Sequence, residues 1–251
     1  MGTYLPIRSH ELPSAVNPMS QLLNGLLWYV AFLFSTTLHE ASHAFIAMRL
    51  GDPTAYEGGH VTLNPIPYVR KQPMGMVIVP LISFVVGGWM IGWASVPYDR
   101  EWAMQYPKRS AAMSLAGPAA NLCLVLLTAL MVRVGMMLGL FVPPESVDFT
   151  RVIASTGEGA FTTLASFVNV FLSLNLLLFI FNLLPLPPLD GSGVIPLFLG
   201  DDHARKYLAW VRNPSLSLFG ILIAWKIFDF IYSPLHLAFI NLLFYPEAHY
   251  R

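Results

Sequence analysis

Two histidines and a glutamate carry the clearest chemistry in this chain, in the stretch Leu38-His39-Glu40-Ala41-Ser42-His43-Ala44. The order is His-Glu-x-x-His. On an α-helix, side chains four apart stand one above the other, so His39 and His43 project from one face. That spacing suits two of the four positions of a tetrahedral zinc ion. Glu40 stands about 100° round from His39, where it can reach the open position and take a proton from water held there. With 7 histidines in 251 residues, composition alone gives such a match roughly 0.005 times per chain, so this one is informative. The plainer alternative is a pair of helix histidines that only bond to neighbouring helices. The flanks, Val30-Ala31-Phe32-Leu33-Phe34 and Ala44-Phe45-Ile46-Ala47-Met48, weigh against it, because ionisable groups at membrane depth are costly and usually functional.

A catalytic zinc needs a third protein ligand. Among the acidic residues, Asp190 ends an apolar run beside broken backbone, in Phe181-Asn182-Leu183-Leu184-Pro185-Leu186-Pro187-Pro188-Leu189-Asp190-Gly191. The alternative is a helix N-cap for the segment from Ser192. Asp229 is the rival, but it lies three residues after Lys226, and an ion pair at that spacing explains it. Asn121 is a buried amide at one end of a span, open to an interhelical hydrogen bond or a role at the site.

The elements that must position these residues are membrane helices. The chain is 55% hydrophobic and only 11% charged, with a mean hydropathy of +0.60, whereas a soluble domain carries about 25% charged residues. This composition marks an integral membrane protein with several spans. Zero net charge leaves no nucleic-acid footprint. The single cysteine, Cys123, excludes an intramolecular disulfide and a cysteine zinc site and reads as helix packing. Residues 1–21 hold Arg8 but no apolar core, so no cleavable signal peptide is expected.

In order, residues 22–50 form a span that stops at Arg49-Leu50-Gly51-Asp52-Pro53. Gly58-Gly59 makes a turn, Val61 and Leu63 alternate as in a short strand, and His60 reads as a loop histidine without metal spacing. Residues 74–94 are apolar but interrupted by Pro80, Gly87-Gly88 and Gly92, as a span or a re-entrant segment. Residues 109–140 form a span opening with the small residues Ala116-Gly117-Pro118. A polar loop covers 141–160, and a further span covers 161–184. The stretch 200–214, with His203 and Lys206, reads as solvated. A span at 215–232 precedes a tail, 235–246, too short to cross, which caps the bundle or lies in the interface. The expected fold is an all-α polytopic membrane protein of one domain, 1–251. It comprises an N-terminal segment 1–21, a catalytic core 22–193 and C-terminal helices 194–251. About four to six transmembrane helices surround a short β or re-entrant segment near the site.

Charge favours the re-entrant reading of 74–94. It places Arg49, Arg70, Lys71, Arg100, Lys108, Arg109, Arg205, Lys206 and Arg212 on one side, against Arg8 and Arg151. A crossing segment dilutes this asymmetry, and the positive-inside rule favours the stronger one. The same choice brings the ends carrying His39/His43, Asn121 and Asp190 to one side, toward the cytoplasm.

Taken together these residues match a known pattern. From about Leu38 to Gly193 the chain resembles the site-2 protease family of intramembrane zinc metalloproteases, peptidase family M50, in its compact bacterial form without PDZ or CBS domain. The resemblance rests on His39-Glu40-Ala41-Ser42-His43, Gly59-His60-Val61-Thr62-Leu63-Asn64-Pro65, Gly92-Trp93-Ala94, Ala116 to Asn121, and Phe181 through Gly191. It implies His39, His43 and Asp190 as ligands of one Zn2+ per chain, Glu40 as general base and Asn121 near the scissile carbonyl. It also implies single-span membrane-protein substrates and the bacterial cytoplasmic membrane as location. The family often has arginine at the position of His60 and lysine at that of Ser95, which bears on substrate preference.

The activity so implied is hydrolysis of peptide bonds within or near transmembrane helices. A substrate helix must unwind before water can attack, and an exposed strand edge at Val77–Val79 or Trp93–Val96 would hold the unwound segment. The alternative is a non-catalytic protein of the same fold that grips transmembrane helices, against which the intact Glu40 argues. A transporter would need ionisable residues in facing spans and repeat symmetry. A di-iron site would need several histidine clusters, and this chain has one.

Overall fold

The computed structural model describes residues 3–4 and 18–251. Arg8 and the expectation about a signal peptide fall on residues outside that range. Four described helices are long and apolar enough to cross a membrane: α1 (Pro18–Leu50), α6 (Pro107–Met137), α7 (Ala160–Asn182) and α10 (Pro214–Phe244). Between them lie the short helices α2 (Thr54–Glu57), α3 (Ile66–Lys71), α4 (Val79–Gly87), α5 (Arg100–Gln105), α8 (Asp190–Val194) and α9 (Asp201–Val211). The all-α polytopic architecture expected from composition is therefore present, with the four spans at the lower end of the expected range.

Helices α1, α6 and α7 form the core. Trp28 and Phe32 from α1, Val125 and Val132 from α6, and Leu172 and Leu174 from α7 are almost wholly enclosed. Opposite faces expose Leu126, Leu127 and Leu130 on α6 and Leu218, Phe219 and Leu222 on α10, as lipid-facing surfaces do. Cys123 is exposed in the same way rather than packed. Helix α1 ends at Gly51, whose φ of +106° a side chain would strain. The next residue, Asp52, accepts from Thr54 N through one carboxylate oxygen and from Asp99 N through the other, tying the end of α1 to the start of α5.

The apolar stretch from residue 74 doubles back. A π-helical turn, Met74–Ile78, leads into α4, which stops at Gly88 in the left-handed conformation. The 14-residue apolar helix Met74–Gly87 rises only about 21 Å, short of the ~30 Å hydrocarbon core. Non-helical chain then returns along it. Trp93 N donates to Gly75 O (3.1 Å), and the Gln72 amide donates to Ser95 O (2.7 Å). A Cβ on Gly75 would meet the Trp93 carbonyl, so glycine permits this close return. Both ends of the segment thus lie on one side, as a re-entrant hairpin.

On the opposite side, four two-residue strands make two small pairings. β1 (Thr3–Tyr4) runs parallel to β3 (Ser146–Val147), and β2 (Phe141–Val142) runs antiparallel to β4 (Ala154–Ser155). The Asn169 carboxamide of α7 accepts from Val152 N and Ile153 N, anchoring this loop. The expected polar loop 141–160 is therefore an ordered cap.

Besides the exposed Cys123, four details depart from the sequence expectation. Val61–Leu63 forms bends, not a strand. The stretch 201–211 is the amphipathic helix α9, with Ala204 and Leu208 buried and His203 exposed. The tail 235–246 mostly continues α10 through Pro234; proline lacks only one N–H, and a long apolar helix tolerates the gap. Asp229 accepts from Ser233 Oγ (2.9 Å), and among the described residues no ion pair joins it to Lys226.

Candidate metal centre

The geometry is built from α1 outward. The intrahelical spacing stacks His39 over His43, their Nε2 atoms 3.0 Å apart. From beyond the end of α7, the turns of Leu183–Leu189 deliver Asp190 as the first residue of α8, with Leu189 and not Asp190 at the N-cap position. Its Oδ2 lies 3.0 Å from His39 Nε2 and 3.3 Å from His43 Nε2. Zinc bonds of ~2.0–2.1 Å set ligand atoms about 3.3–3.4 Å apart along a tetrahedron edge. The three separations match that triangle to within about 0.4 Å.

The protons point the same way. His43 Nδ1 lies 2.7 Å from the Met113 carbonyl, and His39 Nδ1 lies 2.6 Å from Asn121 Oδ1. Both partners are acceptors, so each neutral imidazole carries its proton on Nδ1 and turns a bare Nε2 lone pair inward. Two lone pairs and a carboxylate oxygen within 3.3 Å of one another repel unless a cation sits among them. This donor set fits zinc.

Gly117 of α6 completes the cradle. A Cβ there would collide with Nε2 of both histidines, so only glycine lets α6 approach α1 at this level. The Glu40, His39 and His43 ligand atoms lie within 4.8 Å of one another, all three residues buried. Glu40 thus stands beside the triangle formed with Asp190.

The centre forms the floor of an apolar cleft of about 930 Å³, lined by Trp89, Trp93, Leu177, Phe181 and Trp225 among others. A smaller recess of about 70 Å³ runs beside Glu40, lined by Thr36, Trp93 and Asn182. The re-entrant hairpin supplies one wall of both. Residues Trp93–Val96 are non-helical along that wall, while Val77 and Val79 are helical.

Asn121 is wholly buried, and both ends of its amide are engaged. Oδ1 faces His39, and Nδ2 donates to Asn175 Oδ1 (2.9 Å). Asn175, Gly117 and Thr36 were not legible as site residues, because each acts through its meeting with another helix. His60 is buried away from the ligand triangle, between the Ala55 carbonyl and Lys71 Nζ. Burial and the Lys71 charge hold it below the ordinary histidine pKa.

A family model described as peptidase family M50 matches residues 27–213. The Bacillus subtilis protein named “Putative zinc metalloprotease YwhC” is 36% identical over 167 residues, 66% of either chain. Rip2 of Mycolicibacterium smegmatis, named likewise, is 32% identical over 190 residues, 76% of this chain and 64% of its own. Rip2 of Mycobacterium tuberculosis strain Erdman is 32% identical over 215 residues, 84% of this chain and 73% of its own. The match spans just under two thirds of the first two relatives. No solved structure matches the chain.

Proposed function

The chain belongs to peptidase family M50, and on that ground we propose that it is an intramembrane zinc metalloprotease that cuts peptide bonds within or near transmembrane segments. One observation carries the reading. Three metal-ligating atoms from two separate membrane segments converge within 3.3 Å, beside a buried glutamate, on the floor of an apolar cleft.

His39, His43 and Asp190 would hold the metal. When bound, zinc supplies Lewis acidity to an attacking water and to the scissile carbonyl. Glu40 accepts the proton of that water and returns it to the leaving amine. The cleft is wide and apolar enough to admit an apolar segment. The wall at Trp93–Val96 would pair with substrate backbone once its helix unwinds, strand against strand. Asn121 turns its Oδ1 to His39 and one Nδ2 hydrogen to Asn175, and on that geometry we assign it to His39 rather than to the scissile carbonyl.

Orientation follows from charge. The side of the bundle onto which α1 and α7 deliver the centre carries Arg49, Arg70, Lys71, Arg100, Lys108, Arg109, Arg205, Lys206 and Arg212. Among the described residues the other side carries Arg133, Arg151 and Arg251. The positive-inside rule makes the first side cytoplasmic.

The test uses purified protein and single-span substrates in proteoliposomes. Cleavage within the membrane segment, abolished by a zinc chelator and restored by zinc, supports the reading. Tight zinc binding without cleavage of any single-span substrate would leave a helix-binding protein instead.

A further inference from the structure

Behind His39 lies a chain of amides that continues beyond Asn121. The Asn175 amide of α7 donates from Nδ2 to the Phe171 carbonyl (2.8 Å) and to Ser35 Oγ (2.9 Å). A carbonyl can only accept, so this contact fixes which end of Asn175 is which. Its Oδ1 must then face Asn121, whose Nδ2 donates to it at 2.9 Å. The Asn121 Oδ1 is thereby turned toward His39 Nδ1 at 2.6 Å. That contact puts the imidazole proton on Nδ1 and leaves Nε2 bare.

We propose that Asn175 is a positioning residue of the metal centre, setting the tautomer and ring orientation of His39 through Asn121. The inference rests on the metalloprotease reading of the site. Asn175, Asn121 and Ser35 are fully buried, so water cannot substitute for a lost member. Ser35 sits one turn before His39 on α1, and the relay therefore also locks α7 and α6 to the helix that carries the ligand. An amide that is free to flip would offer His39 an N–H instead of an oxygen. The imidazole would then turn its Nε2–H toward the metal position, where it cannot ligate.

The test reads metal binding, not proteolysis. Zinc affinity is measured by chelator competition on detergent-purified wild type, Asn175→Leu, Asn121→Asp and the double variant, with cobalt absorption as a report of ligand geometry. Asn175→Leu should bind zinc about 10–100-fold more weakly, the range for an outer partner of a ligand, and alter the cobalt spectrum. Asn121→Asp offers acceptors only, so it needs no orienting partner. The double variant should therefore recover most of the affinity lost in Asn175→Leu, which a packing role does not predict. In zinc-loaded wild type, nitrogen NMR of labelled histidine should show His39 bound through Nε2 and protonated on Nδ1. Coordination through Nδ1, wild-type affinity in Asn175→Leu, or no recovery in the double variant overturns the relay. Wild type that binds no zinc overturns the metal centre and the relay with it.

Discussion

Nε2 of His39 and Oδ2 of Asp190 lie 3.0 Å apart, although 151 residues separate them in the chain. One belongs to the first span, and the other follows the third span and its proline-rich turn. An imidazole lone pair and a carboxylate oxygen repel, so a zinc ion or a shared proton must sit between them at this distance.

Removing either partner should therefore empty the centre. In His39→Ala and Asp190→Asn, zinc affinity should drop by more than the ~10–100-fold that loss of an outer partner costs. Metal analysis of the purified variants, with helicity as a check on folding, reads this directly.

Glu40 should separate chemistry from metal binding. Glu40→Gln keeps the shape of the side chain and removes the base. We expect full zinc content and a fall in proteolysis of about 10²–10⁴-fold, the usual contribution of a general base. Equal cleavage by wild type and variant would contradict the assignment.

Gly117→Ala places a methyl group where both Nε2 atoms approach. Overpacking of this kind costs about 1–3 kcal/mol, and here it also pushes the ligands apart. Zinc content and thermal stability should both drop, whereas alanine at the exposed Cys123 should change neither.

His60 gives a pH signature. Its neutral ring accepts from Lys71 Nζ at 3.1 Å, and its folded-state pKa lies below the ordinary value through burial and that charge. Between the two values the unfolded chain binds more protons than the folded one. Stability should be flat above about pH 6.5, fall as pH drops through that value, and level off below the folded pKa. His60→Gln should remove that part of the slope in thermal melts taken from pH 8 to pH 5.

The hairpin after residue 74 predicts a labelling pattern. In a Cys123→Ser background, cysteines at Gln72 and Ser95 should react from the same face of the membrane. Labelling from opposite faces would replace the hairpin with a span.

Much of this was legible in the sequence, for identifiable reasons. His39, Glu40 and His43 share one turn of a single helix, so helical geometry alone relates them. Asp190 betrayed itself as a carboxylate where Pro185, Pro187 and Pro188 break an apolar run. Asn175 sits deep in a largely apolar helix, two residues after Ser173 and six after Asn169, and gains its meaning only from where α6 crosses α7, which no local pattern encodes. Gly117 looked like one of several small residues. The tail 235–246 is too short to cross by itself, and only the structure shows it continuing α10 through Pro234. The cap over residues 141–160 has no regular period, and its order comes from contacts distant in sequence, among them the Asn169 amide and the Tyr250 hydroxyl on the Pro144 carbonyl.

The position of Asp190 also bears on biogenesis. A ribosome feeding this chain into a membrane delivers the histidine pair first and the closing carboxylate only after two further spans have been threaded. Until then the nascent protein holds an incomplete ligand set. On the metalloprotease reading, competence arises late, when the third span docks on the first.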